Sequence, residues 1–177
     1  STSAPDVAAF CPIPGQGLQV APEQLPLPSM ALSLEDDVGI AVLAGGCFWC
    51  TEAVFAALDG VTSVMPGYIG GDAAKANYDA VCGGRTGHAE AIRIGYDPKR
   101  IGFGALLRVF FTVAHDPTQK NRQGHDVGTQ YRSAIFPVDA RQHALAEAYI
   151  AELDAAKAFA APIATTIEPG HVFIPAE

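Results

Sequence analysis

Gly39-Ile40-Ala41-Val42-Leu43-Ala44-Gly45-Gly46-Cys47-Phe48-Trp49-Cys50 sets an apolar run, a double glycine and two cysteines flanking two aromatics in one stretch. The apolar run is too brief for a core helix and suits a buried strand. Past the glycines, Val54, Phe55 and Leu58 recur at helical spacing up to Asp59-Gly60, where glycine supplies a C-terminal stop. The segment therefore reads as strand, tight turn, helix, with Cys47 at the junction. Unpaired backbone N–H groups and the positive end of the helix dipole meet there, and both favour thiolate over thiol. The glycine pair leaves the following side chain exposed, which makes Cys47 a nucleophile candidate. The alternative is that Cys47 and Cys50 are small apolar residues packed in the turn.

Working outward, residues 61–69 form a strand pattern running into Gly70-Gly71-Asp72, and residues 72–87 are a Gly- and Ala-rich loop. Loops of that length in compact domains are uncommon and often functional. Residues 88–96 alternate as a strand and close on Asp97-Pro98, while Leu106, Leu107, Phe110 and Phe111 stripe a core-facing helix over 103–114. A polar loop from His115-Asp116-Pro117 to Gln130 precedes a strand pattern at 131–136, the longest helix pattern at 139–160 and a last strand at 163–167. The order β-α-β-β-α-β-α-β without a repeat predicts an α/β (α+β) fold, a two-layer sandwich of ferredoxin-like type with a mixed sheet. Residues 1–37 hold six of the thirteen prolines and no periodicity, so they read as an extended arm lying on the domain or free of it. Residues 38–177 then form one domain.

Composition agrees with that plan. A chain of 177 residues and 18.4 kDa can build one sizeable core. With 49% hydrophobic and 17% charged residues it is too apolar for disorder, yet no apolar run reaches the ~20 residues of a membrane span. A net charge of -8 repels phosphate backbones, which disfavours nucleic acid as a partner. Four cysteines (Cys11, Cys47, Cys50 and Cys82) are too sparse for a disulfide-stapled scaffold and leave redox, metal or core roles. One Cys-x-x-Cys with isolated histidines does not complete a zinc set. His88-Ala89-Glu90 follows the cysteine pair, against the order of a zinc deaminase signature. A cytoplasmic location is expected, or a periplasmic one if a leader preceded Ser1.

Around Cys47, Phe48 and the sole tryptophan, Trp49, suggest a pocket for a small apolar substituent such as a methyl group; plain core packing is the alternative. Glu90 lies in the strand pattern, where a half-buried carboxyl has a raised pKa and can deliver a proton, unless it is a surface residue. Tyr78 and Tyr131, at a loop and a loop edge, could donate hydrogen bonds to an oxygen, although each alone is more often packing. Asp126 lies in a polar loop of the kind that builds sites. His115 and His125 could be acid–base groups but read rather as capping or solvated residues, and His143 and His171 receive no role.

Taken together, Gly45-Gly46-Cys47-Phe48-Trp49, Gly67-Tyr68-Ile69-Gly70-Gly71, Thr86-Gly87-His88-Ala89-Glu90, His115-Asp116-Pro117, Asn121-Arg122-Gln123-Gly124 and Asp126-Val127-Gly128-Thr129-Gln130-Tyr131-Arg132-Ser133 resemble the A-type peptide methionine sulfoxide reductases. The likeness runs in order over about residues 39–175. It implies a thiol-dependent, metal-free reductase of the S epimer of methionine sulfoxide, free or in proteins, regenerated by thioredoxin or another dithiol; a monomer is the expectation for its assembly. Residue by residue, it implies Cys47 as nucleophile, Phe48 and Trp49 around the methyl group, Glu90 as proton donor, Tyr78 and Tyr131 on the oxygen, and Asp126 at the sulfoxide. His125 stands where the family usually has Asn.

The implied chemistry turns Cys47 into a sulfenic acid that a second thiol must condense with. Many family members carry that thiol in a C-terminal tail, whereas no cysteine follows Cys82 here, so either a tail lies beyond this sequence or a cysteine present in it resolves. Cys50 ranks first, because i and i+3 on a helical turn bring Cα atoms to about the ~5.5 Å that a disulfide prefers. Cys82 on the long loop comes second, and Cys11 on the arm last. Two rival readings stay open, a thioredoxin-like disulfide oxidoreductase built on Cys-x-x-Cys and a methionine-binding module without turnover.

Overall fold

The computed structural model describes residues 25–70 and 87–176. In chain order the elements are β1 (Ile40–Gly45), α1 (Phe48–Ala56), β2 (Val61–Ile69), β3 (Ala89–Tyr96), α2 (Phe103–Val109), β4 (Arg122–Gln123), β5 (Asp126–Val127), β6 (Ser133–Ile135), α3 (Ala140–Ala155), β7 (Thr166–Ile167) and β8 (Ile174–Pro175). A π-helical stretch, Phe110–Ala114, continues α2, and Thr129–Tyr131 forms a 3₁₀ turn. The described strands make a six-stranded sheet in the order β7-β6-β1-β3-β2-β8 and a separate β4-β5 pair. All neighbours in the larger sheet are antiparallel except β6 and β7, so the sheet is mixed, as expected.

Strand alternation divides the core. Leu43, Ile92, Ile94 and Ile135 point to the face covered by the helices, where Phe48, Phe55, Phe103, Phe110, Leu145 and Tyr149 complete the main cluster. Val42, Ala44, Ala89, Ala91, Ala134 and Phe136 fill the other face, where Phe173 packs against them. Small residues dominate that second cluster, and among the described residues none of the helices contributes to it. The strand at β3 therefore reads as nearly continuously buried, and Glu90 sits inside it on the helix-covered face beside Ile92.

Local signals explain most element ends. Asp139 caps α3, its carboxylate accepting from the Gln142 N–H at 2.8 Å. Lys157, with φ +51°, lets the Ala158 N–H return to the Leu153 carbonyl and stops the helix at Ala155, short of the predicted residue 160. The last predicted strand narrows to Thr166–Ile167. Tyr131 leaves the predicted strand for the 3₁₀ turn. β8 and the β4-β5 pair carry no sequence period and were not expected. At β8, Gly67 has no room for a side chain, since a Cβ would stand 2.4 Å from both Phe173 Cζ and the Ile174 carbonyl oxygen.

Residues 25–37, the described part of the proline-rich arm, lie on the domain. Leu25 is buried in the main cluster, the Tyr149 hydroxyl donates to the Pro26 carbonyl at 2.6 Å, and Asp37 accepts from the Phe103 N–H at the start of α2. Residues 25–37 thus strap α2 and α3.

Candidate active site

Cys47 is the residue before α1, and two glycines bring the chain to it. Gly45 lies against His115, where a Cβ would come within 3.0 Å of the ring, and Gly46 adopts φ +91° beneath Gln123, where a Cβ would stand 2.7 Å from Cγ. Gln123 is buried and fixed to both backbone groups of Asp116, its Oε1 accepting from the Asp116 N–H at 3.0 Å and its Nε2 donating to the Asp116 carbonyl at 2.6 Å. His115 is buried as well, against the expectation of a capping or solvated residue. Its Nδ1 faces the Phe110 carbonyl at 2.8 Å, which only accepts, so Nδ1 carries the proton and Nε2 accepts from the Ser133 hydroxyl at 2.6 Å. Ser133 Oγ then accepts from Thr165 at 2.6 Å. Burial lowers His115 to about 4, so the ring is a neutral strut behind the turn rather than an acid or base.

The thiol of Cys47 is partly exposed and free. It makes no capping hydrogen bond, but the N–H groups of Trp49 and Cys50 act on its sulfur and pull its pKa down, as the junction predicts. Burial outweighs them, and the charges of Glu90 and Asp126 add to it, so the net shift is upward. The expected preference for thiolate is therefore reversed in the resting site, because desolvation and two carboxylates are invisible to a local reading.

Glu90 stands under the first turn of α1. It is 3% exposed, and its Oε1 accepts from the Phe48 N–H at 3.4 Å, a long bond. The Tyr131 hydroxyl donates to the same carboxyl. Burial, reinforced by the Asp126 charge, carries Glu90 up to about 7 despite both hydrogen bonds. Phe48 is buried between Trp49 and Tyr68, with ring centroids 5.8 Å and 5.7 Å away, whereas Trp49 is 62% exposed. Asp126 is exposed on β5 and His125 beside it likewise.

Cys47, Phe48, Trp49, Glu90, Asp126 and Tyr131 therefore converge from four elements. Tyr78, Cys82 and Cys11 lie outside the described residues. Cys50 is disulfide-bonded while Cys47 is free, so the two are not joined to each other, and the partner of Cys50 lies outside the described residues. Tyr68, missed as a site residue, pairs across the ladder with Glu90 and supports Phe48 from beneath; its alternation within β2 was the available signal. Among the described residues no group of three His, Cys, Asp or Glu side chains could hold a metal ion, and no helix is long and apolar enough to cross a membrane.

A partly exposed thiol beside a phenol and a buried carboxyl that keeps its proton up to about 7 can attack a polarised sulfur while the acid supplies a proton to the departing oxygen. Known proteins fit this chemistry. The family description "Peptide methionine sulfoxide reductase" matches residues 39–177. The peptide methionine sulfoxide reductase MsrA of Erwinia tasmaniensis is 58% identical over 137 residues, 77% of this chain and 75% of that protein. That of Granulibacter bethesdensis is 52% identical, covering 77% and 74%. Among solved structures, reduced Mxr1 from Saccharomyces cerevisiae superposes with a TM-score of 0.71 at 38% identity, covering 78% of this chain and 79% of that one. Methionine sulfoxide reductase A of Corynebacterium diphtheriae gives 0.64 at 34%, covering 86% and 79%.

Proposed function

The chain belongs to the peptide methionine sulfoxide reductase family, A type, and from that premise we propose that it reduces the S epimer of methionine sulfoxide, free or in proteins, with Cys47 as nucleophile and Glu90 as proton donor. The observation that carries this reading is the position of Glu90, buried beneath the nucleophile's helix turn and holding its proton up to about pH 7. While Glu90 is protonated, one of the two charges that raise Cys47 is absent, so the loaded acid and the ionised thiol favour each other.

The Cys47 thiolate attacks the sulfoxide sulfur, and Glu90, with Tyr131 and Tyr78 on the oxygen, protonates it. The oxygen passes to Cys47, whose sulfur is oxidised by two electrons to a sulfenic acid as methionine leaves reduced. Phe48 forms the inner wall for the methyl group and Trp49 the outer wall, which the substrate covers. Asp126 orients the substrate from the rim and helps keep Glu90 protonated.

Resolution follows in two steps. A dithiol of the thioredoxin class opens the Cys50 disulfide, and the Cys50 thiol condenses with the sulfenic acid, forming a Cys47–Cys50 disulfide and releasing water. A second dithiol reduces that bond. A stereospecific assay tests the whole reading. Turnover of the S epimer and none of the R epimer is expected, with no activity in C47S and a loss of about 10²–10⁴-fold in E90Q at pH 7. Sulfoxide reduction retained by C47S would overturn the assignment.

A further inference from the structure

Tyr131 reaches Glu90 from a different element, and one side chain ties the two elements together. Arg132 follows Tyr131 directly at the end of the 3₁₀ turn and its side chain is only 13% exposed. Nη1 donates to the Thr129 carbonyl of that turn at 3.0 Å and to the Gly87 carbonyl, just ahead of β3, at 3.1 Å. Nε and Nη2 hold Glu168 in a two-pronged pair at 2.8 and 2.9 Å. Glu168 is itself fixed, its N–H donating to the Ile135 carbonyl and its Oε2 accepting from the Thr166 hydroxyl. On the other side, a Cβ at Gly70 would stand 2.6 Å from Nη2, so β2 ends against the same guanidinium. A planar fork with five donors grips the carboxylate with two parallel bonds and still reaches two carbonyls, four bonds in all, which an ammonium with three donors cannot make.

We propose that Arg132 is a positioning residue, which holds the Tyr131 hydroxyl on the Glu90 carboxyl by clamping the turn that carries Tyr131 to the entry of the strand that carries Glu90. The inference rests on the reading of Glu90 as proton donor. The groups acting on Glu90 are the Phe48 N–H, the Tyr131 hydroxyl and the Asp126 charge, with Cys47 facing it from α1 and Tyr68 pairing from β2. The Arg132 charge is not among those that shift it. Removing Arg132 therefore reaches Glu90 through Tyr131, and the loss of a hydrogen bond to the charged form moves Glu90 upward.

The test follows the protonated carboxyl band of Glu90 by infrared titration, assigned by its absence in E90Q, together with the alkaline limb of kcat/KM. Because R132M alone leaves the half-buried Glu168 carboxylate unpaired and endangers folding, R132M/E168Q, which removes both charges, is titrated beside it. In each folded variant the Glu90 midpoint is expected to rise by about half a unit or more, with the limb following it. Y131F is expected to give the same rise, and adding R132M/E168Q to Y131F no further one. A Glu90 midpoint unmoved in R132M/E168Q, or a rise that adds in full to that of Y131F, would overturn the clamp. A limb that does not follow the Glu90 band even in wild type would instead overturn Glu90 as proton donor, so the two failures are distinct.

Discussion

The Glu90 charge raises the affinity of Cys47 for its proton, and the site works only if the acid holds its proton when the thiol has lost its own. With Glu90 at about 7, activity is expected to fall as pH climbs through that value, and E90Q should lack the limb as well as most of the rate. Trp49 offers a second residue-level test, because it is the sole tryptophan and largely exposed. Titrating methionine-S-sulfoxide into C47S should change its fluorescence saturably, and an unchanged emission would remove Trp49 from the methyl pocket. Residue types and spacing singled out Cys47, Phe48, Trp49, Glu90 and Tyr131 as candidates, and the fold brings them together. The sign of the Cys47 shift was not legible, since it depends on burial and on carboxylates from β3 and β5. The same is true of His115, whose neutrality comes from its burial in the fold behind the turn.

The turn Gly45-Gly46 shows what an element contributes. Both glycines are required by neighbours far away in sequence, His115 and Gln123, and Gly46 also by its positive φ. Gly46→Ala is therefore expected to cost about 1–3 kcal/mol in stability and to depress sulfoxide reduction, whereas exposed Ala160→Gly should do neither. Denaturant melts and steady-state rates check both, and a fully active, equally stable Gly46→Ala would contradict the packing described. Strand, turn and helix around Cys47 were legible because their periods are local. The two-residue strands β4, β5 and β8 were not, because a pair of residues has no period and its pairing is set by tertiary partners. The 3₁₀ turn at Tyr131 was hidden inside an apparent strand for the same reason, and it is this turn that aims the phenol at Glu90.

At the scale of the molecule, the site is held at a cost to stability. A carboxyl raised in the folded state contributes fully below its unfolded value and loses that contribution as pH rises through about 7. E90Q is therefore expected to be more stable than wild type by roughly 2 kcal/mol at pH 8 and not at pH 4. His115 works in the opposite sense, because a lowered histidine stabilises above its ordinary value and loses that as pH falls toward 4, so both proteins should weaken together in acid. The two-layer mixed architecture was legible from element order, but which face received Glu90 was decided by the ladder register. The central claim is that Cys47 takes the sulfoxide oxygen. Mixing the protein, with its Cys50 disulfide intact, with one equivalent of methionine-S-sulfoxide and dimedone, then mapping peptides by mass spectrometry, reads this directly. One dimedone adduct on Cys47 per methionine formed is expected; methionine formed with Cys47 unmodified would contradict the account.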